Sequence, residues 1–135
     1  LKRLDYNNKL RNKNHEYFLK NLNKDKYFTD FNLEGSSNYA FVIIFRKKFQ
    51  KISFRNKFEN KLLKFGIEFR RGTSGGGNQL KQPYLAKFIK MKKKEINNFP
   101  NTDIIHSFGY YIGNYPNLSK SKILDICKIL NSVNF

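Results

Sequence analysis

Hydrophobic residues recur along the chain at spacings that predict both helices and strands. Residues 1–22 carry apolar positions at a loosely helical spacing within an otherwise polar stretch, which predicts a helix. The run NYAFVIIFR, residues 38–46, is apolar on both faces and rich in β-branched and aromatic residues. It therefore predicts a central strand that is covered on both sides.

A second amphipathic helix is predicted by four apolar residues that share one helical face. These residues are Phe54, Phe58, Leu62 and Phe65. Ser53 is the expected N-cap of this helix, and Gly66 is the expected residue just beyond its end.

The remaining elements are shorter. GIEFRR, residues 66–71, predicts a second strand, and residues 83–94 predict a short helix. The segment 104–116, IIHSFGYYIGNYP, predicts a third strand that Gly109 interrupts. A last helix follows, with Ser119 as its N-cap.

The order of these elements is helix, strand, helix, strand, loop, strand and helix. It predicts an α+β fold: one two-layer domain over residues 1–135, with a short, mainly antiparallel sheet covered by helices on one side. The apolar positions expected to form its core are Phe41, Ile43, Phe58, Leu62, Ile67, Ile112, Ile126 and Leu130.

The chain carries a formal net charge of +17, from 27 basic and 10 acidic residues. Such a charge favours a polyanionic partner. However, lysine (21) far exceeds arginine (6), asparagine (18) and phenylalanine (14) are abundant, and alanine occurs twice. An A/T-rich coding sequence would produce the same bias, so the charge supports both explanations.

The single cysteine, Cys127, excludes an internal disulfide and favours a reducing compartment such as the cytoplasm. Its apolar, helical surroundings indicate a small buried side chain. No apolar run reaches the ~18 residues that a membrane-spanning helix needs. Because the sequence starts at Leu1 without methionine, we expect a fragment or a processed piece.

Three consecutive glycines lie in GIEFRRGTSGGGNQLKQPY, residues 66–84. A P-loop reading fails because Asn78 stands where a lysine must reach the phosphates. A dinucleotide-binding reading fails because Leu80 replaces the third glycine. Two interpretations remain: a flexible connector, or a loop whose backbone approaches a ligand closely.

No catalytic or metal-binding motif is apparent. His15 and His106 lie far apart, and no metal-ligand spacing or nucleophile elbow occurs. The residues themselves do not indicate an enzyme.

Four segments nevertheless occur in a recognisable order: SNYAFVIIF, KFGIEFRRG, NQLKQPYL and FPNTDIIHSFGYYIGNYPNLSKSKI. Together they resemble the C-terminal small domain of the DegT-type nucleotide-sugar aminotransferase and sugar 3-dehydratase family. That family tends to show an S-N-Y-A-like strand, a G-I-E-T-R-P-like strand, a Q-P-x-Y-like turn and a Y-x-x-N-x-P segment before the last helix. The resemblance covers nearly the whole chain, and the order of the motifs carries it.

The resemblance implies a fold-type-I enzyme that uses pyridoxal phosphate (PLP) to modify a nucleotide sugar, in cell-surface polysaccharide or deoxysugar biosynthesis. The large domain, with the lysine that binds PLP covalently, is expected upstream. The chain alone should then be inactive, and its partners should be its own large domain, the nucleotide sugar and a second copy of the parent in a homodimer. Whether the parent transaminates or dehydrates its substrate stays open.

The resemblance also implies which residues face the substrate. Arg70 matches the arginine of the family's G-I-E-x-R strand, and the following loop lines the substrate side. Phe69 and Arg71 depart from the threonine and proline that the family tends to have. The residues expected to bind substrate are Arg70, Arg71, Asn78, Gln79, Gln82, Tyr110 and Asn114.

Two other classes of function remain as alternatives. One is a small basic nucleic-acid-binding module, in which Phe108, Tyr110 and Tyr111 are exposed on a strand and stack on bases. It lacks a recognised nucleic-acid-binding motif. The other is a scaffold domain without a ligand.

Overall fold

A computed structural model describes residues 2–86, 88 and 98–134 of the chain. The helices are α1 (Leu4–Asn21), α2 (Ile52–Lys64), α3 (Pro83–Ala86), α4 (Pro100–Phe108) and α5 (Lys120–Asn131), and the strands are β1 (Ala40–Ile44), β2 (Arg70–Arg71) and β3 (Gly109–Gly113). Short 3-10 turns cover Lys47–Phe49 and Gln79–Lys81.

The three strands form an antiparallel sheet in the order β1–β3–β2. The predicted central position of β1 is therefore wrong, because β3 lies in the centre. The prediction that both faces of β1 are covered is also wrong. Phe41 and Ile43 are fully buried, whereas Val42 is 37% exposed. Successive side chains of a strand point to opposite faces, so one face of β1 packs into the core and the other is open.

The core lies between this sheet and helices α1, α2 and α5. Six of the eight predicted core residues are buried, and the other two, Ile67 and Ile126, pack against the cluster from its margin. Phe58 is fully buried, with ring centroids 4.9 Å from Phe45 and 4.8 Å from Tyr110. The predicted α+β fold, a short antiparallel sheet with helices on one side, is confirmed.

The end of α2 follows the prediction. Gly66 has φ +64°, its N–H donates to the Leu63 carbonyl at 3.1 Å, and the Ile67 N–H donates to the Leu62 carbonyl at 2.9 Å. This is a Schellman motif, which favours glycine because of the positive φ. The start differs, because α2 begins at Ile52 rather than after Ser53.

The last helix also begins as predicted, since the Ser119 hydroxyl accepts the Lys122 N–H at 3.3 Å. Within this helix Cys127 is buried as expected, and burial raises the pKa of its thiol to about 12.

Three predicted elements have different bounds. The strand predicted at residues 66–71 is β2, which covers only Arg70–Arg71. The first half of the predicted third strand is helix α4, which has Pro100 in its first turn and Asp103 close behind. Both residues favour a helix start, and β3 begins only at Gly109. The predicted helix 83–94 is described only as α3, and residues 87 and 89–97 lie outside the described part of the chain.

Candidate functional site

The glycine-rich loop, residues 72–78, has a backbone that only glycine adopts readily. Gly75, Gly76 and Gly77 have φ values of +81°, +106° and +61°. A Cβ on Gly72 would lie 1.8 Å from the carbonyl oxygen of Ile105. These glycines therefore form a defined turn against α4, which does not fit a plain connector.

Asn78 anchors this loop and is only 1% exposed. Its backbone N–H donates to Nδ1 of His106 at 3.0 Å, and its Nδ2 donates to Oδ1 of Asp103 at 2.5 Å. Its Oδ1 accepts the N–H of Leu80 at 3.1 Å. Each polar group of this side chain thus has a partner within the chain.

Gln79 and Gln82 also hold the loop. Oε1 of Gln79 accepts the hydroxyl of Tyr84, and Nε2 of Gln82 donates to the carbonyl of Gly76. Gln79 is exposed and Gln82 is half-buried. These contacts shape the turn from within and leave the exposed side of Gln79 open to a ligand.

Arg71 and Tyr110 converge on a buried carboxylate that the sequence did not point to, Glu59 of α2. Nε and Nη2 of Arg71 donate to Oε1 and Oε2 of Glu59 at 2.8 and 2.5 Å, and the Tyr110 hydroxyl donates to Oε1 at 2.6 Å. Burial raises the pKa of Glu59, but the hydrogen bonds from Arg71 and Tyr110 outweigh it and lower the pKa overall. This ion pair fixes β2 and β3 to the helical layer.

Glu59 directly follows Phe58 on the core-facing side of α2. This position was the feature of the sequence that could have predicted its burial. A carboxylate at the margin of an apolar helical face needs a basic partner when it is buried. The sequence offered many cations and no means of choosing Arg71 among them.

Asn114 is 2% exposed and joins three segments of the chain. Its Nδ2 donates to the carbonyls of Arg11 at 2.9 Å and Asn38 at 2.7 Å. Its Oδ1 accepts Nδ2 of Asn14 at 3.3 Å. It ties the end of β3 to α1 and to the approach to β1.

Arg70 lies on the opposite face of the sheet from Arg71. It pairs with Tyr111 in the register, whereas Arg71 pairs with Tyr110. Arg70 is exposed, and among the described residues its side chain has no hydrogen bond or ion pair. Its guanidinium is available to an anionic ligand or partner.

Two neighbouring concavities border the open face of the sheet. One, of about 420 Å³, is lined by Arg70, Tyr111 and Tyr115 and also by Ile126 of α5 on the helical side. The other, of about 410 Å³, is lined by Val42. Tyr39 and Tyr111 line both, and their rings meet edge-on with centroids 6.2 Å apart. Pairing of β2 with β3 begins only at Arg70, so the preceding residues separate from β3 and leave room for the first concavity.

The predicted site residues are thus divided among four places. Arg70 is on the open face, and Arg71 and Tyr110 bind Glu59 on the helical side. Asn78, Gln79 and Gln82 form the loop, and Asn114 lies at the end of β3. The structure adds Tyr39 and Tyr115, both more than 60% exposed, to the surface around Arg70.

The aromatic residues expected to stack on bases are not arranged for it. Tyr110 is 3% exposed, and Phe108 ends a helix and packs against the core. The expected exposure on a strand therefore holds only for Tyr111, which is half-buried.

Among the described residues no group of histidine, cysteine and acidic side chains is placed to hold a metal ion. In the same part of the chain, no helix combines the length and the apolar character that crossing a bilayer requires.

No protein-family model matches the chain, and neither does any curated protein sequence. Solved structures do match. A GDP-4-keto-6-deoxymannose-3-dehydratase with a trapped PLP-glutamate geminal diamine is 28% identical, with a TM-score of 0.70 over 91% of this chain and 31% of that one. The E. coli GDP-4-keto-6-deoxy-D-mannose-3-dehydratase with hydrated PLP is also 28% identical, with a TM-score of 0.76 over 96% and 32%. A doubly substituted ColD is 29% identical, with a TM-score of 0.75 over 96% and 33%.

The chain therefore spans about one third of the length of the structures it matches. The two concavities around Tyr111 do not by themselves fit PLP. Among the described residues no lysine lines either of them, and the one cationic residue that does is Arg70. One guanidinium on an open surface can pair with an anionic group, but it does not enclose or covalently hold a cofactor.

Proposed function

We propose that the chain is the C-terminal small domain of a PLP-dependent sugar aminotransferase or 3-dehydratase of the DegT type. The observation that carries this is the likeness to sugar 3-dehydratases over more than nine-tenths of this chain and about a third of theirs. In the parent, PLP and the lysine that binds it belong to the remaining two thirds.

The substrate we propose is a nucleotide sugar, and the reaction we favour is 3-dehydration. Two of the similar structures are named as dehydratases of a GDP-linked 4-keto-6-deoxy sugar. The activity of these two enzymes supports the class of substrate, and the exposed Arg70 of this chain supports the face on which the substrate binds. By the same resemblance we expect a cytoplasmic homodimer in the biosynthesis of cell-surface sugars.

The open face of the sheet is the proposed substrate-side wall, with Arg70 as its anion-binding group. A planar guanidinium can donate two parallel hydrogen bonds to a diphosphate. Arg70 is exposed and unpaired among the described residues, next to the tyrosine rings of Tyr39 and Tyr111. Those rings can stack on a base or a sugar face. Arg71, Asn78, Gln82, Tyr110 and Asn114 have partners within the chain and hold this wall in shape.

Substitution of Arg70 in the complete parent enzyme tests this assignment. Charge-assisted hydrogen bonds contribute roughly 1.5–3 kcal/mol, so Arg70→Ala should lower kcat/KM for the nucleotide sugar by about 10- to 150-fold. The loss should arise mainly through KM, and the PLP absorbance should stay unchanged. Arg70→Lys should restore only part, because lysine lacks the bidentate fork.

Arg71→Ala is the matched control, since it removes the neighbouring guanidinium from the other face of the sheet. This substitution breaks the ion pair with Glu59. It should therefore lower the melting temperature clearly and change KM little. If Arg70→Ala keeps full kcat/KM and melts at a lower temperature, Arg70 is structural and the assignment of the wall is wrong.

A further inference from the structure

The glycine-rich loop touches the rest of the chain through few polar contacts. The N–H groups of Ser74 and Gly76 donate within the loop, to the carbonyls of Arg71 and Thr73. Nε2 of Gln82 donates to the Gly76 carbonyl from the adjoining segment. Among the described residues, the contacts that join residues 73–78 to α4 are those of Asn78 with Asp103 and His106. These two residues lie one turn apart on α4, and Asn78 lies between them.

The contact with His106 defines the protonation state of its ring. Nδ1 accepts the backbone N–H of Asn78 at 3.0 Å, so it carries no proton, and the neutral ring holds its proton on Nε2. A protonated imidazole has N–H groups at both nitrogens and cannot accept this bond. The two N–H groups would then face each other.

We propose that His106 and Asp103 form a proton-sensitive latch, in which neutral His106 holds the glycine-rich loop against α4 and protonation releases it. The proposal concerns the conformation of this chain. It does not depend on what the loop binds or on the function proposed above.

The charged groups around the latch favour its release at low pH. His106 interacts electrostatically with Asp103 on its own helix, and Lys81 on the adjoining 3-10 turn lies with its Nζ 2.9 Å from Asp103 Oδ1. The hydrogen bond from Lys81 lowers the pKa of Asp103, so this carboxylate stays ionised while histidines protonate. An imidazolium at His106 attracts the carboxylate and competes with Nδ2 of Asn78 for it.

The glycines allow the loop both to lie against α4 and to move away from it after release. A Cβ on Gly77 would lie 2.3 Å from Nδ1 of His106, so the closed position requires glycine there. Gly75 and Gly76 have no Cβ to restrict their backbone angles once the anchor is lost.

Nuclear magnetic resonance of the 135-residue chain tests the latch. The ¹⁵N shifts of the His106 ring should report an Nε2–H tautomer at pH 8. When the pH is lowered until these shifts report the imidazolium form of His106, the protection factor of the Asn78 amide should fall about tenfold, the equivalent of one hydrogen bond. The Ile112 amide, in the central strand, should keep its protection and so exclude global unfolding.

Two variants separate protonation from other effects of pH. His106→Asn places an amide oxygen near the position of Nδ1 and does not titrate, so the Asn78 amide should stay protected at both pH values. His106→Phe removes the acceptor, so protection should be low at both. An Nδ1–H tautomer at pH 8, or Asn78 protection that does not change as the wild-type His106 ring protonates, overturns the proposal even if both variants fail to fold.

Discussion

His15 is the other histidine of the chain, and its surroundings make its charged form unfavourable. It is 2% exposed, with ring centroids of Phe18, Phe31 and Phe41 within 6.4 Å. Burial lowers its pKa from 6.5, and a hydrogen bond with the backbone of Ala40 only partly offsets this. In the folded chain His15 therefore stays neutral below the pH at which the unfolded chain protonates it.

This difference predicts a fall in stability on mild acidification. Below pH 6.5 the unfolded state binds more protons at His15 than the folded state does, so the free energy of unfolding decreases as the pH falls through this range. Urea unfolding at pH 7.5 and pH 5.5 measures the difference. His15→Leu fills the apolar site and does not titrate, so it should reduce the pH dependence of the free energy of unfolding. If that dependence is unchanged in His15→Leu, it arises from other groups.

The sequence alone did not predict the hydrogen-bond partners of most polar residues. Asn78 binds residues 25 and 28 positions away, and Asn114 binds the carbonyl of Arg11, 103 positions away. Such pairs depend on how the elements pack, and one sequence does not fix that. The opposite directions of Arg70 and Arg71 were predictable, because they follow from strand alternation alone.

At the scale of elements, periodicity predicted long regular segments and failed at short ones. Phe54, Phe58 and Leu62 form the buried face of α2, and the helix ends just before Gly66, as predicted. Phe65, the fourth residue predicted on this face, follows the helix and is 50% exposed. Ile104 and Ile105 were interpreted as part of a strand because adjacent β-branched residues favour one. Pro100 and Asp103 start a helix there instead, and only the residues from Gly109 onward pair with β1.

The face of α2 allows a direct test of its packing. Phe58 is fully buried among the rings of Tyr27, Phe45 and Tyr110. Phe58→Ala should lower the free energy of unfolding by about 3–5 kcal/mol, the range for deleting a buried aromatic ring. Denaturant titration measures the loss, with Leu63→Ala as a control because Leu63 lies on the same helix and is 66% exposed. A loss under about 1 kcal/mol at Phe58 would contradict its burial in the core.

At the scale of the whole molecule, the two faces of the sheet differ in what covers them. One face packs against α1, α2 and α5, and the other presents Val42, Tyr111 and Arg70 to the outside. The sequence predicted the one-sided helical layer, and its motifs carried the resemblance that the solved structures support. The sequence did not predict what covers the open face, because the chain corresponds to only about a third of each matched structure.

Since no lysine is among the described residues that line the two concavities around Tyr111, the isolated chain should not hold PLP there. Its 21 lysines will react with PLP weakly and reversibly, as exposed amines do. Incubation with PLP followed by dialysis should therefore leave no lysine-linked absorbance. Borohydride added before dialysis should trap label spread over many lysines, each below one equivalent, when peptides are mapped by mass spectrometry. Stoichiometric label on one lysine that survives dialysis would show that this chain carries a cofactor site of its own, and it would contradict the assignment of PLP to the rest of the parent enzyme.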